Sequence, residues 1–263
     1  MTSPKPPRSE AAVRDFAGPP GLRTRGTVLV VAGRGETPDS YTRFGARLAA
    51  DAYRVRVLPA PAIDPTDVAG SLRTFAASLG EAVGGIADRV DPLVLVGADT
   101  GAAALGALVA RPQPLVEWWP DGVVLAGLPG YDTHRVLGWD EELDARTHCP
   151  VHRGVLTDDA AVQPGAFATA LPGALLDAAY GSIAEPPHLL LVGDADPLAD
   201  RAALSRLAKA LPTVRLSAVR GAHHDVLNDL SHRSVAAHIV TFLEALRGTP
   251  RLASIVEPET STW

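Results

Sequence analysis

The run Leu95-Val96-Gly97-Ala98-Asp99-Thr100-Gly101-Ala102 ends an apolar segment and opens one of small residues, with glycines two positions either side of Asp99. That spacing permits a sharp strand-to-helix turn, which lifts one side chain into a strained, exposed position above a sheet. Asp99 holds the place of a nucleophile; the plain alternative is an aspartate capping the next helix. Further along, Gly193-Asp194-Ala195-Asp196-Pro197-Leu198 sets carboxylates after one apolar run, and Gly221 to Asp229 sets His223 and His224 after the next. A nucleophile, an acid that orients an imidazole, and the imidazole itself are the parts of nucleophilic catalysis with a relayed base. Earlier, Ala32-Gly33-Arg34-Gly35-Glu36 is a Gly-rich turn whose backbone N–H groups could face a developing oxyanion.

These residues need a scaffold that brings strand ends together. Short β-branched runs bounded by Gly, Pro or Asp predict buried strands at 27–31, 54–58, 93–96, 123–126, 189–192 and 214–219. Continuous apolar runs of that length suit a parallel sheet covered on both faces. Between them, helical periodicity predicts helices over 40–52, 67–90, 100–110, 199–211 and 231–247, so the fold class is α/β with right-handed crossovers. The interval from about 128 to 187 lacks a strand and carries helical pieces at 139–146 and 173–179; it is expected to be a lid over the strand ends. Residues 1–25 and 248–263, rich in Pro and polar side chains, are expected to be flexible tails around a domain spanning 26–247.

Composition excludes several classes. With 24 Lys and Arg against 30 Asp and Glu, and a net charge of -6, there is no basic footprint for nucleic acid. Cys149 is the only cysteine, which rules out an intramolecular disulfide and a multi-thiolate zinc site. No apolar run reaches the roughly 18 residues of a membrane helix, and residues 1–26 lack the apolar stretch of a signal peptide, so the expected address is cytoplasmic. His148-Cys149-Pro150-Val151-His152 offers three potential metal ligands, but Pro150 breaks helical spacing and no fourth ligand is near; no metal and no cofactor is expected.

Taken together, the chain order of Asp99, Asp196 and His224 and the Gly33-Arg34-Gly35-Glu36 turn, followed by Tyr41, Phe44 and Leu48, resemble the α/β-hydrolase superfamily over about residues 25–247. Within it, the chain is most similar to the monoglyceride lipase and lysophospholipase-like branch, and the histidine loop is the most specific match. The resemblance implies Asp196 as triad acid, in preference to Asp194 and Asp200, and His224 as base, in preference to His223. It implies the backbone amides of Arg34 and Thr100 as oxyanion donors. The chain departs from that branch at Ala32, where His is usual, and at Asp99, where Ser is usual.

Aspartate at the elbow resembles a different branch, the epoxide hydrolases and dehalogenases, whose carboxylate attacks a saturated carbon to give an ester that a His-activated water hydrolyses. A carboxylate attacking an acyl carbon would have to expel a far more basic alkoxide, so Asp99 argues for an sp³ electrophile. The expectation is a hydrolase acting on a small apolar molecule, an epoxide, a halide or an activated ester. Tyr131, Tyr180 and Trp139 are the lid-interval candidates for its pocket. Two other readings stay open: a cyclase or lyase using Asp99 and His224 as acid and base, and a ligand-binding pseudoenzyme. Oligomeric state is open as well.

Overall fold

The computed structural model describes residues 13–110, 116–131, 138–248 and 252–255. Seven strands, β1 (Arg14–Phe16), β2 (Thr27–Val31), β3 (Arg54–Leu58), β4 (Leu93–Ala98), β5 (Gly122–Ala126), β6 (His188–Gly193) and β7 (Val214–Val219), form one sheet in the order β1-β3-β2-β4-β5-β6-β7. Only β1 is antiparallel to its neighbour. Strands β2, β4, β5 and β6 are buried at every residue, as the apolar runs require. Alternate side chains feed two cores: Leu29, Leu95, Leu125 and Leu190 on one face, Val28, Val94, Val124 and Leu189 on the other.

Among the described residues there are eight α-helices: α1 (Thr42–Ala50), α2 (Val68–Gly84), α3 (Thr100–Val109), α4 (Trp139–Arg146), α5 (Pro150–Asp158), α6 (Gly173–Tyr180), α7 (Arg201–Ala210) and α8 (His232–Arg247). Phe44 and Leu48 of α1 and Ile239 and Phe242 of α8 pack on one face; Leu79 of α2, Leu105 of α3, Leu176 of α6 and Leu207 of α7 pack on the other. No described helix is long and apolar enough to cross a membrane.

The chain turns outward from β2 to β3, then returns to lay β4 on the other side of β2. The loops after β2 and β4 therefore diverge at a topological switch point, where open α/β sheets bind ligands. Register sets their height: Val31 pairs with Gly97, and Ala98 with Ala126.

Four expectations need correction. Arg14–Phe16, expected within a flexible tail, forms the edge strand β1, with Phe16 stacked where Gly45 leaves room and Asp15 paired to Arg56. Leu252, in the other expected tail, donates its N–H to the Ala245 carbonyl and packs on the core. Of the remaining tail residues, 1–12, 249–251 and 256–263 lie outside the described residues. Pro150 opens α5 instead of breaking a helix, because the first helical position leaves its N–H unused in any case. Finally, α6 lies in the expected lid interval but packs against α3 on the sheet, Ala179 facing Gly106, leaving α4, α5 and the 3-10 turn Ala166–Ala168 above the strand ends.

Candidate active site

The turn after β4 is the sharp one its glycines allow. Asp99 adopts φ 46° and ψ -114°, a left-handed conformation unusual for a non-glycine residue. A Cβ on Gly97 would meet the Ala102 nitrogen at 2.6 Å, and one on Gly101 would meet the Val31 carbonyl oxygen at 2.6 Å. Both glycines are therefore sterically required where helix α3 starts against β2. Asp99 is nevertheless not exposed as the motif suggested: it is 2% accessible, covered by Arg34.

The two carboxylate oxygens of Asp99 have different surroundings. Oδ2 accepts from the Arg34 backbone N–H (2.8 Å), Arg34 Nε (2.8 Å) and the Thr100 hydroxyl (2.9 Å). Oδ1 meets His224 Nε2 at 3.1 Å and accepts from Arg34 Nη2 at 2.9 Å. On the far side of the ring, His224 Nδ1 lies 3.0 Å and 3.1 Å from the two oxygens of Asp196, and Asp196 also accepts from the Leu198 N–H. The structure thus brings Asp99, His224, Asp196, Arg34 and Thr100 together, with Thr100 contributing its hydroxyl where the resemblance implied its amide.

The competing residues are engaged elsewhere. His223 bonds Asp229 and stacks on His148 with ring centroids 3.7 Å apart; Asp194 accepts from the Gly221 N–H, and Asp200 caps α7.

Electrostatics fix the protonation pattern. Burial would raise the Asp99 carboxyl, but the Arg34 charge and the hydrogen bonds of His224 and Arg34 outweigh it and hold the group well below the usual carboxylate range. Burial would lower His224, yet Asp196 and Asp99 together lift it to about 10. The ring therefore rests as an imidazolium donating to a carboxylate at each nitrogen. Two anions face two cations, with Phe167 edge-on to His224 at 5.1 Å and the Arg34 guanidinium 4.9 Å above the Phe167 ring.

A cavity of about 250 Å³ opens beside Arg34 and Thr100, walled by Pro61, Ile63, Pro65, Ala166, Thr169, Ala170, Leu171 and Pro172. Tyr131, Tyr180 and Trp139 are not in its wall, contrary to expectation. Tyr131 and Tyr180 stack on each other, the former donating to Asp177 and the latter to the Pro129 carbonyl, while Trp139 packs with Leu143, Leu156 and Val162. Larger hollows near Glu244 lie at the other ends of the strands, away from these residues.

Beneath the site is a buried charge network that sequence reasoning missed. Arg146, 1% exposed, donates to Glu142 (2.7 Å) and to the Arg34 carbonyl (2.6 Å), lies 3.5 Å from Asp225 and sits 3.9 Å above Phe167. Glu36 accepts from the Gly33 N–H and from the Tyr41 hydroxyl. His152 pairs with Asp225 at 3.0 Å and faces Glu36 at 3.6 Å; burial opposes its charge, but the two carboxylates lift it to about 9. Burial and the Glu36 charge push Asp225 up. Glu36, His152 and Asp225 are the residues that could hold a metal ion, their ligand atoms lying within 4.8 Å of one another, although Arg146 already supplies a cation there. The i, i+4 spacing of Glu142 and Arg146 was visible in the sequence, but such pairs ordinarily read as solvated surface bridges.

No protein-family model and no curated protein matches the sequence. Solved structures do. The monoacylglycerol lipase of Paleococcus ferrophilus superposes with a TM-score of 0.68 at 18% identity, over 89% of this chain and 98% of that one. The chain has the α/β-hydrolase fold. A soluble variant of the monoglyceride lipase of Saccharomyces cerevisiae aligns at 0.62 and 16% identity, over 88% and 90% of the two chains. A thioesterase domain from the curacin biosynthetic pathway aligns at 0.58 and 18%, over 87% and 94%. An α/β-hydrolase fold accounts for the placement of the site: the loops after β2, β4, β6 and β7 supply Arg34, Asp99, Asp196 and His224 at one end of the sheet.

Proposed function

We propose that the protein is a hydrolase that works through an ester on Asp99, with a small, largely apolar substrate carrying a leaving group on a saturated carbon. The observation that carries this reading is the asymmetry of Asp99: Oδ2 lies in a cradle of three donors that includes a backbone N–H, and Oδ1 lies between His224 Nε2 and Arg34 Nη2. In the first step an Oδ1 lone pair attacks the carbon and the leaving group departs with the bonding pair. Oδ2 becomes the ester carbonyl oxygen without moving. Esterification also removes one of the two negative charges that hold the proton on His224, so the ring's affinity for it falls and it can lose that proton to solvent. Neutral His224, oriented by Asp196, then takes a proton from water as the oxygen adds to Cγ. Negative charge gathers on Oδ2, where the Arg34 N–H, the Arg34 guanidinium and the Thr100 hydroxyl already point. Collapse expels the alcohol, which receives the proton from His224, and regenerates Asp99.

The lipases and the thioesterase among the fold's neighbours support hydrolysis as the reaction class. A halide satisfies this scheme directly, and an epoxide does so with its oxygen retained as an alkoxide that takes up the proton His224 releases; an activated ester, attacked at its acyl carbon, would give an anhydride instead. Repeated turnover in ¹⁸O water is expected to place label in the Asp99 carboxylate, read by mass spectrometry of the peptide, because the water oxygen enters Cγ. Asp99→Asn should lower kcat by about 10⁴-fold or more. Turnover without label would overturn the covalent route. The Arg34 clamp on both Asp99 oxygens favours a second reading, in which Asp99 and His224 exchange protons only; unlabelled Asp99 after many turnovers is its signature.

A further inference from the structure

Arg34 completes the Asp99 cradle, and its guanidinium also forms a wall of the cavity. Its Nε and Nη2 face Asp99, and its Nη1 donates to the carbonyl of Thr169 at 2.7 Å. A guanidinium offers five N–H donors in a planar fork, so the edge carrying Nη1 remains able to take a second bidentate partner. At present that edge has a neutral carbonyl, the weaker kind of acceptor for a cation. The rest of the wall is apolar apart from Thr100 and Thr169. We propose that this cavity recognises a carboxylate with an apolar tail, its head held by Arg34 in place of the Thr169 carbonyl.

Size and charge both bear on the ligand. At about 30 Å³ per non-hydrogen atom, 250 Å³ has room for roughly eight, the number in a six-carbon carboxylic acid. Charge favours an anion at the step that matters. Asp99 and Asp196 face Arg34 and His224, and ester formation on Asp99, 2% exposed, takes from the Arg34 guanidinium the anion it pairs with. A substrate carboxylate on Arg34 supplies that guanidinium with an anion in the ester, whether or not His224 has released its proton, whereas before reaction the two carboxylates share one guanidinium and repel. The interaction strengthens along the reaction coordinate, which is the condition for it to accelerate the step. This identification of the substrate class rests on the Asp99 ester mechanism, but the binding it requires is measurable without turnover.

The test is calorimetric titration of the full chain with straight-chain carboxylates from butanoate to decanoate and with primary alcohols of equal length. Carboxylates are expected to bind at least tenfold tighter than the matched alcohols, with affinity levelling off near six carbons. Asp99→Asn should tighten carboxylate binding several-fold and leave alcohols unchanged, because Arg34 loses its competing partner. The double variant Asp99→Asn/Arg34→Gln, which removes both charges and so leaves none unpaired, should abolish the preference. Equal binding of alcohols and carboxylates, or a preference that survives in the double variant, overturns the proposal. The ¹⁸O experiment is separate: label in Asp99 without carboxylate preference sinks this inference alone, and carboxylate preference without label sinks the ester mechanism alone.

Discussion

His224 sits between two carboxylates in a dry site, so its proton contributes to the stability of the fold as well as to any chemistry. Its pKa rises to about 10 on folding, and that of His152 to about 9. A raised folded value means the stabilisation is fully present below pH 6.5, the ordinary imidazole value, and is lost as pH climbs through 9 and 10. His188, buried at the start of β6 against the Pro186 carbonyl, goes the other way, down to about 4 because burial disfavours its charge. The unfolded chain therefore gains a proton there that the folded chain refuses, and stability falls from pH 6.5 toward 4. Below pH 3.8, protonation of Asp99 in the unfolded state adds to the acid limb. Urea unfolding midpoints are expected to peak near pH 6.5, and Asp99→Asn should flatten the alkaline limb by removing one of the two partners of His224. An alkaline limb identical in the variant would show that the Asp99–His224 pairing contributes nothing to the fold.

At the scale of elements, helix α3 leans on strand β2 so closely that Gly101 cannot carry a Cβ, whereas Gly80 on α2 has open space with Trp118 at an ordinary 3.6 Å. Gly101→Ala should cost about 2–4 kcal/mol, since the obstructing atoms are backbone and either β2 or α3 must shift. Gly80→Ala should stabilise by about 0.5–1 kcal/mol through reduced backbone freedom in a helix interior. Thermal unfolding of the pair checks both signs. The same contrast explains what could be read in advance. Six strands and the two glycines about Asp99 were legible because apolar runs and tight turns depend on local sequence. The order of Asp99, Asp196 and His224 was legible because each follows a strand end. Strand β1 was not, since Arg14 and Asp15 carry no apolar signal and the pairing partner is some forty residues away. Nor was the second role of Arg34: its amide follows from position in the turn, but the reach of its side chain over Asp99 depends on how the lid residues Phe167 and Thr169 crowd it.

Across the whole molecule, one buried network joins three regions distant in sequence. Arg146 from α4 holds the Arg34 carbonyl, Glu36 holds the Gly33 N–H, and Asp225 adjoins His224 while pairing with His152 of α5. Backbone bonds from His224 to Ala145 and from Asp225 to Arg146 tie the histidine loop to the same helix end. Three carboxylates, Glu36, Glu142 and Asp225, face the cations of Arg146 and His152, so removing Arg146 strands charge in the interior. Arg146→Met should therefore destabilise by about 3–5 kcal/mol, and the double variant Arg146→Met/Glu142→Gln by less than Arg146→Met alone, because one stranded carboxylate is gone. Destabilisation alone does not separate a scaffold role from a positioning one. Arg146→Lys keeps the charge but loses the guanidinium's fork onto Glu142 and the Arg34 carbonyl, so the turn that aims the Arg34 N–H at Asp99 should loosen while the apolar part of the cavity wall stays in place. Once a substrate is in hand, that variant is expected to lower kcat about tenfold with KM within about twofold, the pattern of a contact realised in the transition state. A rise in KM at unchanged kcat would instead assign the network to holding the cavity, and the geometry of the Asp99 cradle would then not depend on Arg146.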